Sequence, residues 1–254
     1  MNKKIIVANW KMNLDMQESS LYLYKLSEKV IVHRASEIIL APSIFTLQSL
    51  SLQVNHRQFK LAAQNFYWRD SGAFTGEVSI SQLRGIVQYA IVGHSERRHI
   101  FGETDKDIRA KVAATLRNDI TPILCIGETS DERNNNETNM VINDQLIGGL
   151  ANVSSEDVGG VIIAYEPVWA IGTGDNAVPR DVEKAVRTIR SQIRHLYGEK
   201  ASKEIKVLYG GSINSDSAAD YAAVPGVDGL LIGGASLNAD QFTQIIEKVY
   251  KQIK

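Results

Sequence analysis

Lys4-Ile5-Ile6-Val7-Ala8-Asn9-Trp10-Lys11-Met12-Asn13 is the stretch that decides between two α/β architectures. Its first six residues form an apolar, β-branched run without clean alternation. A parallel strand covered on both faces reads this way. The residues after the run include no glycine. An open doubly wound sheet usually turns on glycines there and leaves two edge strands. A closed barrel has no edges to protect.

Working outward, similar runs recur at Glu37–Ala41, Lys60–Ala63, Ala90–Gly93, Thr121–Ile126, Gly160–Tyr165, Ile205–Tyr209 and Asp228–Ile232. With Lys4–Asn9 these make eight, separated by segments of helical spacing. Pro179 to Tyr197 is the clearest helix, with Pro179 in its first turn, Ile189 and Ile193 on one face, and Gly198 at its end. Asn238 caps a last helix whose apolar face holds Phe242, Ile246 and Val249. Thr104 with Asp107, and Ser79 with Gln82, have capping-box spacing. Strand–helix alternation implies right-handed parallel units, and eight of them close a barrel. The expectation is therefore an α/β fold, one (β/α)8 barrel spanning residues 1–254. No linker or low-complexity tract divides it, and Asn134-Asn135-Asn136 reads as a surface turn.

The 254 residues are 44% hydrophobic, enough for a large core. Their 28 basic and 29 acidic side chains leave a net charge of −1, which gives no electrostatic case for nucleic acid or an anionic membrane. One cysteine, Cys125, excludes an internal disulfide and suits a reducing compartment. No secretory signal or bilayer-length apolar run is legible, so a cytoplasmic protein is expected.

In such a barrel the residues just past each strand meet on one face. Strand one brings Asn9 and Lys11; strand four brings His94, Ser95 and Glu96; strand six brings Glu166. Strands seven and eight bring Gly210-Gly211-Ser212 and Gly233-Gly234. Glutamates after strands often only pair with arginines. Glu166, however, precedes Pro167-Val168-Trp169-Ala170-Ile171 and then Gly172 and Gly174. An apolar, glycine-bearing loop beside a carboxylate suits a lid that keeps water from a base. Of the five histidines, only His94 lies at a strand-to-helix junction on that face. A helix start disfavours imidazolium, which suits a neutral electrophile. Lysines are usually just solvated, but Lys11 points to the mouth, where a cation draws an anionic substrate and offsets charge forming on oxygen. Asn9 orients it. The two glycine turns offer bare amides of the kind that bind a phosphate dianion.

Other chemistries lack their motifs. There is no GxxxxGK[ST], and Gly172 to Ala177 imitates a dinucleotide turn only at the wrong distance from its strand. No HExxH pair or thiolate set suggests a metal, and Cys125 lies in an apolar run. Neither cofactor nor metal is expected. On residues alone two other readings stay open: a phosphate-binding barrel enzyme with a larger substrate, and a non-catalytic barrel used for binding. The second should have lost Lys11, His94 or Glu166.

The ordered motifs resemble the triosephosphate isomerase family along the whole chain. They are Asn9 to Asn13, Gln64-Asn65, Gly72 to Glu77, Gly93-His94-Ser95-Glu96-Arg97-Arg98, Cys125 to Thr129, Tyr165 to Gly174, Tyr209 to Ser212 and Gly229 to Leu237. The resemblance implies a TIM barrel that interconverts dihydroxyacetone phosphate and glyceraldehyde 3-phosphate in glycolysis and gluconeogenesis. It implies Glu166 as base, His94 as neutral electrophile and proton shuttle, Lys11 as electrostatic stabiliser with Asn9 nearby, and Glu96 as a supporting carboxylate. It also implies phosphate binding at Gly172, Ser212, Gly233 and Gly234, and a lid over 167–177 with Glu128 and Tyr209 as anchors. A homodimer would form through Phe74-Thr75-Gly76-Glu77. The sequence departs from the family at Asp175-Asn176-Ala177, where many members have a lysine-led segment.

Overall fold

Eight short runs pair in sequence order into one closed parallel sheet in the computed structural model, which describes residues 3–31, 35–171 and 177–252. The strands are β1 Lys4–Asn9, β2 Ser36–Ala41, β3 Phe59–Ala63, β4 Tyr89–Val92, β5 Thr121–Ile126, β6 Ile162–Tyr165, β7 Lys206–Tyr209 and β8 Gly229–Ile232. Closure is made where β1 pairs with β8, Ile5 opposite Gly229 and Ala8 opposite Ile232. The doubly wound alternative is thereby excluded, and the fold is the (β/α)8 TIM barrel.

Both faces of each strand are buried, which explains the missing alternation. Ile5, Val7, Ile39, Ala62, Ile91, Ile123, Cys125, Ile162, Ala164, Leu208 and Leu231 fill the barrel interior. Their sequence neighbours, such as Ile6, Ala8, Leu40, Leu124, Ile163, Val207 and Ile232, face outward into the layer shared with the helices. Period two along β6 therefore directs Ile162 and Ala164 inward and continues to Glu166.

Local signals act as expected at most element ends. Thr104 and Asp107 form a reciprocal cap on the helix Asp105–Arg117, and Asn238 accepts the amides of Asp240 and Gln241 at 3.0 Å. The Ser79–Gln82 box is also made, but on a single 3-10 turn, Ile80–Leu83. Asn135 and Asn136 leave the helix Ser130–Asn134 in an exposed turn, Asn136 with φ 63°. Five strands are shifted by one residue, at one or both ends, from the expected bounds, and two boundaries differ by more. Helical residues run Pro179–Glu204, broken at Gly198 with φ 89°. The short piece beyond the break is tied back, because Arg190 Nη1 donates to Ser202 O at 2.7 Å and Ser202 Oγ donates to Arg190 O at 2.8 Å. A 3-10 turn, Val158–Gly160, takes the residues before β6, so that strand starts two residues late.

The N-terminal end of the barrel is tied by Asp228. Its Oδ2 accepts Arg190 Nη2 and the Val207 amide, both at 3.0 Å, and its carbonyl accepts the Ile5 amide at 3.0 Å. The carboxylate thus joins the helix 179–204 and β7 directly beside the β8–β1 seam. Breaking such a largely buried pair from one side leaves the Arg190 charge with carbonyl partners only and orphans the Val207 amide. Asp228→Ala should lower unfolding stability by about 3 kcal/mol, read from the urea midpoint. An unchanged midpoint would remove this tie from the account.

Candidate active site

Glu166 enters the site boxed by two glycines. A Cβ at Gly127 would lie 1.8 Å from Glu166 O, and one at Gly210 would lie 2.9 Å from Glu166 Cγ. No other residue type leaves room for the carboxylate at that depth, where Glu166 is 2% exposed. Its amide extends the β5–β6 ladder, donating to Ile126 O at 2.7 Å.

His94 caps the short helix Ser95–His99. Its Nδ1 accepts the Glu96 amide at 3.2 Å. An accepting ring nitrogen carries no proton, so the ring hydrogen belongs to Nε2. That nitrogen is 3.1 Å from Glu166 Oε1, while the Ser95 amide donates to Glu166 Oε2 at 3.0 Å. Imidazole and carboxylate are thus in direct contact.

Lys11 has φ 53°, a left-handed backbone that costs energy in a residue with a Cβ. Side chains hold it there. Asn9 Oδ1 accepts the Lys11 amide at 3.2 Å, and Gln64 Nε2 donates to Lys11 O at 2.9 Å and Ala41 O at 2.7 Å. Glu96 Oε1 accepts from Lys11 Nζ at 2.6 Å. Gln64 has no role that its sequence context alone assigns. Its signal was position: it lies two residues past the inward Ala62, at the same barrel end as Glu166.

Asn9, Lys11, His94 and Glu166 line one cavity of about 460 Å³. Ser212, Gly233 and Gly234 form its far wall, with Ile171, Asn214 and Leu231. Among the described residues, the amides of Ser212, Gly233 and Gly234 donate to no protein acceptor. Glu96 lies behind Lys11. Gly172 and the middle of the lid, residues 172–176, lie outside the described residues, as do Asp175 and Asn176 of the departing segment.

Both lid stems are described. Glu128 accepts Trp169 Nε1 at 2.9 Å and the Tyr165 hydroxyl at 3.1 Å, and its carbonyl accepts the Val168 amide at 3.0 Å. Arg133 stacks over the Trp169 ring at 3.9 Å and pairs with Asp181 at 2.7 Å. On the far stem, among the described residues, Tyr221 makes a tie, donating to Ala177 O at 2.8 Å. Tyr209 packs beside it, ring centroids 4.3 Å apart. Only the general aromatic content of these segments could have hinted at Arg133 and Tyr221.

Cys125 is fully buried, and burial with the nearby Glu166 carboxylate pushes its thiol well above the ordinary range. It packs and does not attack. Among the described residues, no group of three or more His, Cys, Asp or Glu side chains is arranged to hold a metal. None of their helices is long and apolar enough to cross a membrane.

Comparison with known proteins agrees with this geometry. The triosephosphate isomerase family profile matches residues 4–249. A protein named triosephosphate isomerase from Chloroherpeton thalassium is 39% identical over 97% of this chain and 99% of its own length. Proteins of the same name from Endomicrobium trichonymphae and Clostridium acetobutylicum are 41% and 40% identical, each over 97% of this chain and 99% of their own. With one family profile covering nearly every residue of the barrel, and relatives of this identity matching end to end, the chain belongs to the triosephosphate isomerase family.

Proposed function

We propose that Glu166 moves the proton between two substrate carbons while His94 and Lys11 manage the oxygens. The overall reaction is that of the family: the chain is an aldose–ketose isomerase that interconverts dihydroxyacetone phosphate and glyceraldehyde 3-phosphate in glycolysis. The observation that carries the role assignment is the 3.1 Å contact between His94 Nε2 and Glu166 Oε1 on one cavity wall.

Both Glu166 oxygens have protein partners, Oε1 in His94 and Oε2 in Ser95. A substrate carbonyl oxygen competes for the His94 donor. When it wins, Glu166 Oε1 is released to accept a proton from the adjoining carbon. The C–H pair becomes the C=C bond of an enediolate, and the carbonyl π pair moves onto oxygen. His94 Nε2–H and the Lys11 ammonium stabilise that oxygen where its charge develops. Glu166 then returns the proton to the neighbouring carbon, and His94 shuttles the hydroxyl protons. No electrons enter or leave, so the stoichiometry asks for no redox partner. Asn9 and Glu96 keep Lys11 aimed.

The amides of Ser212, Gly233 and Gly234 hold the substrate phosphate, joined by Gly172 from the lid over 167–177. Phosphate bound there is remote from the reacting carbons, and its binding energy can drive closure. The Asp175-Asn176-Ala177 segment gives this lid its own closing rate.

Residues 1–254 act as one domain in the reading we favour, in the cytoplasm, and the same step serves gluconeogenesis. The chain pairs with a second copy through the loop Phe74-Thr75-Gly76-Glu77. Exposed Met12, Ile44, Phe45, Phe74, Ile100 and Phe101 support this, since they lie in the loops and helix starts that follow the first four strands.

Glu166→Asp sets the carboxylate back from the carbon. It should cut kcat by about 10²–10⁴-fold in a coupled glyceraldehyde 3-phosphate assay, with KM changed far less. His94→Gln should lose rate with its circular dichroism intact. Unchanged turnover in either variant would defeat the corresponding role. Light scattering should give twice the mass of one chain, and Phe74→Asp should give the mass of one; a wild-type monomer contradicts the pairing.

A further inference from the structure

The far wall of the cavity is tied to its strand end through a side-chain bond, Ser236 Oγ donating to Ile232 O at 3.2 Å, and it needs a further support. The turn Gly234–Ser236 is one short 3-10 turn, and its internal bonds are few. Ser236 N donates to Gly233 O at 2.8 Å, Leu237 N donates to Gly234 O at 3.0 Å, and Ser236 Oγ donates to Gly233 O at 2.7 Å. The last carbonyl, Ser236 O, ends the turn inside the protein, since Ser236 is fully buried. A buried carbonyl needs a donor.

Tyr22 supplies it. This residue lies on the helix Met16–Lys29, far from the cavity in sequence, and is itself buried. Its hydroxyl donates to Ser236 O at 2.6 Å. Burial pushes the phenol's pKa up, so it remains a permanent donor. The same ring meets Trp10 edge to face, centroids 4.8 Å apart at 64°. Trp10 directly precedes Lys11. On the other side, a Cβ at Gly233 would lie 3.3 Å from Lys11 Cε and 3.7 Å from Nζ. One ring therefore braces the loop that carries the cation and the turn that carries the free amides.

We propose that Tyr22 is a positioning residue for the phosphate of the substrate, holding the 233–236 turn so that its amides face the cavity. The inference rests on the phosphate wall assigned above. A phosphate dianion is recognised by several amides at once, so a small rotation of the turn weakens all of them together. The reacting carbons are held by other elements, at 11, 94 and 166. Loss of the hydroxyl should therefore be felt at the phosphate and not at the chemistry.

The test is Tyr22→Phe, which keeps the ring and removes one oxygen. Orphaning a buried carbonyl typically costs enough that inorganic phosphate should inhibit roughly five- to tenfold more weakly. KM for glyceraldehyde 3-phosphate should rise by a similar factor with little change in kcat. Turnover of glyceraldehyde, which lacks the phosphate, should equal that of the wild type. A structural role alone would lower the melting temperature and leave the phosphate inhibition constant where it was, and that result overturns the proposal. Wild-type enzyme that phosphate fails to inhibit would overturn the phosphate wall itself, whereas equal inhibition of wild type and variant overturns only the role of Tyr22. A second measurement uses the wild-type protein and survives any folding defect of the variant. By linkage, phosphate must strengthen the bond that favours its binding. Saturating phosphate should slow solvent exchange of the Tyr22 hydroxyl proton, seen by NMR, and an unchanged exchange rate overturns the proposal.

Discussion

Closure of the sheet between β1 and β8 is the constraint from which the site follows. Eight parallel strands in one ring must all end on the same rim, and each strand's next inward residue must point at the axis. Asn9, Glu166 and Gly233 meet for that reason, although 224 positions separate the first from the last. No binding partner or long-range signal is needed to bring them together. The cost is that inward positions near the rim are crowded, and Gly127 and Gly210 give the space that Glu166 occupies.

Within that frame the polar groups are held by short-range bonds. Glu166 takes two donors, His94 is oriented by the Glu96 amide, and Lys11 is pinned from both ends of its residue. Each is a buried or half-buried polar group with a partner, as stability requires. Each partner also sets the direction in which the group faces substrate. In the proposed reaction the contacts that orient these groups are the ones a substrate must replace, and this exchange is how a well-satisfied carboxylate becomes a base at the right moment.

The parts of the site that were legible in the sequence are those set by strand periodicity. An apolar run followed by Asn-Trp-Lys, by His-Ser-Glu or by Glu-Pro marks a rim position wherever the barrel closes. The eight strands were found within two residues because their composition, buried on both faces, differs from that of the helices. What could not be read depends on contacts across the fold. Gln64 holds Lys11 only because the rim past β3 reaches across the end of β2 to the loop after β1, and Tyr221 reaches Ala177 only because two helices meet there. Tyr22 looks like one more apolar face residue until its hydroxyl is seen under the 233–236 turn. The break at Gly198 was legible; the return of helix after it was not, since it depends on Arg190 and Ser202.

Whether one cavity holds the proton-moving pair at one end and a phosphate at the other is settled most directly by a crystal structure with bound 2-phosphoglycolate. The account predicts its phosphate on the amides of Ser212, Gly233 and Gly234, and its carboxylate within hydrogen-bond reach of His94 Nε2 and Lys11 Nζ, beside Glu166. An anion bound away from those amides, or one whose carboxylate points out of the barrel, would contradict it.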